Sequence, residues 1–90
     1  MTITPGRIVL YRIHEYDVQG RKFTGNQPYA GDIVPLIIVR VWDNEFYENG
    51  VGKPGVNGQL ILDCTEPSTL WVTSKREGEQ NGMWFWPPRV

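Results

Sequence analysis

Apolar and polar positions alternate along this chain in five short β-type runs, separated by polar stretches rich in Gly and Pro. The most apolar run is 33–42, Ile-Val-Pro-Leu-Ile-Ile-Val-Arg-Val-Trp, in which eight of ten residues are apolar, most of them Val, Ile or Trp. Its length, its β-branched residues and Pro35 argue for a central strand and against a helix. Proline cannot donate to a ladder, so regular pairing is expected to begin after Pro35. Period two places Leu36, Ile38, Arg40 and Trp42 on one face and Ile37, Val39 and Val41 on the other. The second set reads as pure core.

The other runs are 7–13, 56–63, 69–75 and 83–86. In the first, Ile8 and Leu10 oppose Val9, Tyr11 and Ile13. Both faces are apolar, which calls for cover by another segment or a second subunit. In the third, Leu60 and Leu62 oppose Gln59 and Ile61; in the fourth, Leu70 and Val72 oppose Trp71 and Thr73. The last run sets Trp84 and Trp86 against Met83 and Phe85, and Pro87-Pro88 ends it. If Phe85 turns inward, two tryptophans face out and need cover by a loop, a subunit or a ligand. Asn49-Gly50 and Pro54-Gly55 mark residues 43–55 as a loop with hairpin turns, and Asn57-Gly58 reads as a turn or a bulge. The gap at 64–68 is too short for the helix an OB-type barrel carries there. The expected fold is all-β: one domain spanning 1–90, a small antiparallel SH3-like barrel of about five strands.

Composition narrows the function. Ninety residues with net charge −1 give no basic surface for a long nucleic acid. Cys64 is the single cysteine, read as a buried or half-buried free thiol. No run is long enough to span a bilayer, no signal peptide opens the chain, and a cytoplasmic location is expected. His14, the single histidine, stands beside Glu15 and Asp17 without zinc spacing, and no nucleophile or phosphate-loop motif is complete. Gly-Val-Gly-Lys-Pro-Gly at 50–55 lacks the Ser/Thr and the helix of a phosphate loop. The reading is therefore non-catalytic, with no cofactor and no metal. The long segment 14–32 mixes Tyr16, Phe23 and Tyr29 with Arg21 and Lys22, a combination that suits a planar or anionic ligand, or aromatics packed on the barrel rim.

Four segments carry a resemblance. Pro5-Gly6-Arg7-Ile8-Val9-Leu10-Tyr11, Ile38-Val39-Arg40-Val41-Trp42, Leu70-Trp71-Val72-Thr73-Ser74 and Trp84-Phe85-Trp86-Pro87-Pro88-Arg89-Val90 are similar to those of a group of short proteins encoded by tailed bacteriophages. The closing Trp-x-Trp-Pro-Pro-Arg is the most specific piece; members often carry His where this chain has Phe85. The likeness covers about half the chain and leaves out 15–29 and 44–55. It implies a phage origin, hence a host-cytoplasm setting, and supplies no mechanism. Phage accessory proteins of this size act by binding host proteins or by sequestering nucleotide signals of host defence. Arg7, Arg12, Arg40 and Arg89 occur with Trp42, Trp71, Trp84 and Trp86, a set that could stack a base and pair its phosphates. The expected function is thus binding of a small anionic nucleotide-type ligand, which could sequester a host defence signal, or, alternatively, a protein-interaction module that is a virion component or an inhibitor of a host protein. A homo-oligomer is expected in either case, since so small a domain gains stability by association.

Overall fold

A computed structural model describes residues 2–88. Seven strands and one helical turn occur in the order β1 (Ile8–Arg12), α1 (Glu15–Val18), β2 (Thr24–Gly25), β3 (Ile33–Glu48), β4 (Val51–Ile61), β5 (Cys64–Glu66), β6 (Thr69–Arg76) and β7 (Trp84–Phe85). Five strands form one antiparallel sheet in the order β6-β4-β3-β1-β7, and β2 pairs with β5 in a two-stranded flap. The large sheet curls into a half-barrel. A single bridge between Glu77 and Trp84 links the end of β6 to β7 on the closing side. The meander order, with the first strand between the second long strand and the last, is that of a small SH3-like barrel, as the sequence pattern implies.

The concave face is the core. Val9, Tyr11 and Ile13 of the first run, Leu36 and Ile38 of β3, Val56 and Leu60 of β4, Leu70 and Val72 of β6, and Trp84 are buried together. Segments outside the sheet also meet this core: Ile3 from the N-terminal lead-in, Val18 and Phe23 from 14–32, Leu62 and Cys64 after β4, and Trp86 from the C-terminal end. Fully burying one such large apolar side chain stabilises by about 1.5–3 kcal/mol.

β3 corrects the sequence reading in three places. Pairing begins before Pro35: Arg12 faces Ile33, Tyr11 faces Val34 and Leu10 faces Pro35. The ring is tolerated because Ile13 N–H bonds Asp32 C=O, which makes Leu10–Pro35 a pair that exchanges no bonds; the β4 ladder starts one residue later, with Leu36 facing Leu60. Next, Ile37 and Val39 are not core: Leu36 and Ile38 are the buried pair, Ile37 faces outward and Val39 is 51% exposed. Alternation from Leu36 and Ile38 leaves Ile37 and Val39 outside, and a bulge between Ile38 and Arg40 adds one residue to β3, which keeps Arg40 outside and turns Val41 toward the core. Last, 43–55 is no loop. The hairpin continues to Asn49-Gly50, a two-residue turn with both φ positive (50° and 78°), between Glu48 and its partner Val51. Pro54-Gly55 lies inside β4, at an irregular step where the register shifts between Trp42 and Phe46. The resulting arm lengthens the molecule to 42 × 29 × 22 Å.

Asn57-Gly58 is not a turn but marks a bulged, irregular step of the pairing. It sits in β4 opposite irregularities on both neighbours, the one at Val39 and another in β6 between Val72 and Lys75, where Ser74 has φ 53°. Gly58 is required because a methyl there would collide with the Ile37 carbonyl oxygen. Asn57 Oδ1 accepts from Ser74 N–H at 2.9 Å and from Trp42 Nε1–H at 3.2 Å. One side chain thus satisfies a backbone donor that the bulge removes from the ladder.

Candidate functional site

The residues singled out from the sequence divide between two environments. Arg40, Trp42 and Trp71 reach the outer face of the sheet, and Arg12 reaches the same face at its far end. Alternation from the buried positions puts Ile8, Leu10 and Arg12 there from β1, Ile33, Pro35 and Ile37 from β3, Gln59 and Ile61 from β4, Thr69 and Trp71 from β6, and Phe85 from β7. Ile8 is 59% and Trp71 52% exposed, and Ile33, Val39, Ile61 and Trp42 are also open. The outer face is therefore nearly as apolar as the inner one, and among the described residues much of it is open to solvent.

Its charges are of one sign. The Arg40 guanidinium lies 4.0 Å from the centre of the Trp42 ring, whose edge is held by Asn57. Arg12 lies over Phe85 at 5.5 Å, with Nε donating to the Glu79 carbonyl. No carboxylate occupies the paired rows between them. Beyond those rows, Glu45 is folded across Gly55 past Trp42, and Asp63 accepts from the Asn26 amide. Arg7 is exposed at the edge of the sheet, its carbonyl accepting from Ile38 N–H.

Trp84 and Trp86 go inward instead, and Phe85 takes the outer side. Trp84 is 1% exposed, donates Nε1–H to the Lys75 carbonyl and meets Trp86 edge to face at 5.7 Å. Its buried ring offers no face for a base, which corrects its place in the stacking set. Both tryptophans border a cavity of about 540 Å³ in which Asp43 and Glu77 accompany Lys53, so the lining does not favour a phosphate. Arg89 lies outside the described residues. The Arg and Trp set thus forms no single pocket: part of it is an open face and part is core.

A second cluster was not visible in the sequence. His14, Tyr16 and Asp17 from the start of 14–32, Phe46 from the arm, Ser74, Lys75 and Arg76 from the end of β6, and Asn81, Gly82 and Met83 line a cleft of about 290 Å³. His14 is the N-cap of α1, with Nδ1 accepting from Tyr16 N–H while Asp17 Oδ2 accepts from His14 N–H. The same Asp17 oxygen accepts from the Tyr11 hydroxyl at 2.8 Å. Burial first, then that hydrogen bond and the negative charge behind it, hold the Tyr11 phenol protonated well above its ordinary range. A third cavity, near Cys64, brings Asp32 and Asp63 together; the half-buried thiol donates to the Asn26 carbonyl at 2.8 Å. Among the described residues, no group of three or more His, Cys, Asp or Glu converges, and no helix is long and apolar enough to cross a membrane. No protein-family model, curated protein or solved structure matches this chain.

Proposed function

We propose that this chain is a non-catalytic interaction module that docks an acidic, apolar segment of a partner protein on the outer face of its sheet. The observation that carries the reading is that face itself: Ile8, Ile33, Val39, Ile61 and Trp71 are open to solvent on a sheet whose other side already holds the core. Exposed apolar patches of this kind mark interaction sites. The charge pattern selects the partner. Arg12 and Arg40 frame the patch and no carboxylate stands in its paired rows, so an acidic segment is complementary. A second copy docked face to face would set two faces of the same sign together. The phage resemblance would make the partner a host protein. The aromatic anchors, Trp71 and the Trp42–Arg40 pair, are the residue types that dominate binding energy in interfaces.

The test is a titration of the protein with two amphipathic helical peptides of the same apolar pattern, one with Glu and one with Lys at the polar positions, followed by the indole and amide NMR signals. The Glu peptide is expected to move signals of Trp42, Trp71 and Ile61, and Trp71→Ala to weaken it about tenfold. Equal binding of the Lys peptide, or shifts confined to another surface, would refute the reading. Concentration-dependent broadening of the same signals without peptide would replace the acidic partner with a second copy.

A further inference from the structure

We infer that the cleft bordered by His14, Tyr16, Lys75 and Arg76 binds a small planar anion of the nucleoside monophosphate class. The site is separate from the docking face and rests on other residues. Its volume, about 290 Å³, stands at the lower end of small-ligand pockets, which suits one nucleotide rather than a polymer.

Two cations line it. Lys75 has no ion-pair partner among the described residues. Arg76 has only Glu48, at 3.6 Å, with both side chains about half exposed, a contact that a phosphate can displace. The guanidinium also lies over the Phe46 ring at 5.7 Å, which holds it at the cleft wall. The single carboxylate in the lining, Asp17, is already engaged: its Oδ2 takes the Tyr11 hydroxyl and the His14 N–H. A phosphate entering the cleft therefore meets two positive groups and one carboxylate committed elsewhere.

The same cleft provides a stacking surface. The His14 and Tyr16 rings stack at 4.8 Å with 22° between their planes, and Tyr16 is 74% exposed. One face of Tyr16 is covered by His14, and the other is open to a base. Side-chain N–H donors complete the set. His14 Nδ1 accepts from Tyr16 N–H, which leaves Nε2 as the donor of the ring. The Asn81 amide is engaged by no side-chain hydrogen bond among the described residues and also borders the cleft.

The test is calorimetric titration of the whole protein with adenosine monophosphate, adenosine and inorganic phosphate. The monophosphate is expected to bind at millimolar concentration or below, and the nucleoside and the bare phosphate at least tenfold more weakly. Lys75→Gln should weaken the monophosphate about tenfold and Tyr16→Ala severalfold, each with an unchanged thermal midpoint. Trp71→Ala, which disrupts the docking face, should leave it unchanged. Failure of the monophosphate to bind, binding no tighter than phosphate alone, indifference to Lys75→Gln, or loss in Trp71→Ala would overturn the inference. Failure of the peptide titration leaves this result intact, so the two readings fall separately.

Discussion

One sheet has two faces here, and both are apolar, yet they have different roles. The inner face carries Tyr11, Leu36, Leu60 and Trp84 at full burial. The outer face carries Ile8, Ile33, Ile61 and Trp71 in water. An antiparallel sheet ordinarily keeps one face polar. Composition therefore does not separate core from surface in this molecule; the curl of the sheet does, with Trp84 and Trp86 drawn into the concave side. The comparison predicts opposite outcomes for chemically similar substitutions. Trp84→Ala should cost about 3–5 kcal/mol, since it opens a core cavity and orphans the Lys75 carbonyl. Trp71→Ala should change stability by less than about 1 kcal/mol while weakening peptide binding about tenfold. Urea unfolding of the two variants measures both, and equal losses would erase the distinction between the faces.

The inner face also holds a polar tie, and pH is the way to probe it. Tyr11 is fully buried and its hydroxyl donates to Asp17. Its pKa is raised by folding, so the neutral phenol is the form the fold favours. The stabilisation is fully present below pH 10.0, the ordinary phenol value. Above that, the unfolded chain releases the proton first, and stability falls as pH rises. Tyr11→Phe should cost about 1.5–3 kcal/mol at neutral pH, the range for a hydrogen bond to a charged group. It should also remove this part of the alkaline decline. Thermal melts of both proteins across that range check the sign; an unchanged slope in Tyr11→Phe would mean that Tyr11 does not report the core.

How much of this was legible in the sequence follows from the same two-sidedness. Period two located the five sheet strands, because each has β-branched or aromatic residues bounded by turn residues. It could not say which face turns inward where both are apolar. In β3 the apparent core set of Ile37, Val39 and Val41 is the outer face up to Val39, and the bulge there, set by pairing with Asn57 and Gly58 and not by local sequence, turns only Val41 inward. The arm reads as a loop in the sequence because both its faces meet solvent and alternation is lost; Asn49-Gly50 is the correct turn signal within it. In 83–86, one of two alternating pairs had to fill the core, and burial of Trp84 leaves Phe85 on the other side. The cleft was the least legible feature. His14 and Tyr16 are about sixty residues from Lys75 and Arg76, and only barrel closure joins them. The one trace was the cation and aromatic content of 14–32, of which Tyr16 alone reaches the site.

The outer face can be sharpened further at Asn57, which neither packs in the core nor docks a partner by the present reading. Its side-chain oxygen accepts both the Ser74 N–H and the Trp42 indole N–H. It therefore fixes the bulge in β6 and the ring under Arg40 with one atom. Asn57→Ala frees both donors, but Ser74 and Trp42 are solvent-exposed, so water replaces much of what is lost. The expected cost is about 1 kcal/mol, well below that at Trp84. The more telling change is positional. With its edge released, Trp42 should lose its fixed seat under Arg40, and its indole signal should broaden and move. Peptide affinity should then fall severalfold although every apolar residue of the face is present. An Asn57→Ala protein that binds the acidic peptide as well as the parent would show that the face recognises its partner by apolar area alone, without the Arg40–Trp42 pair.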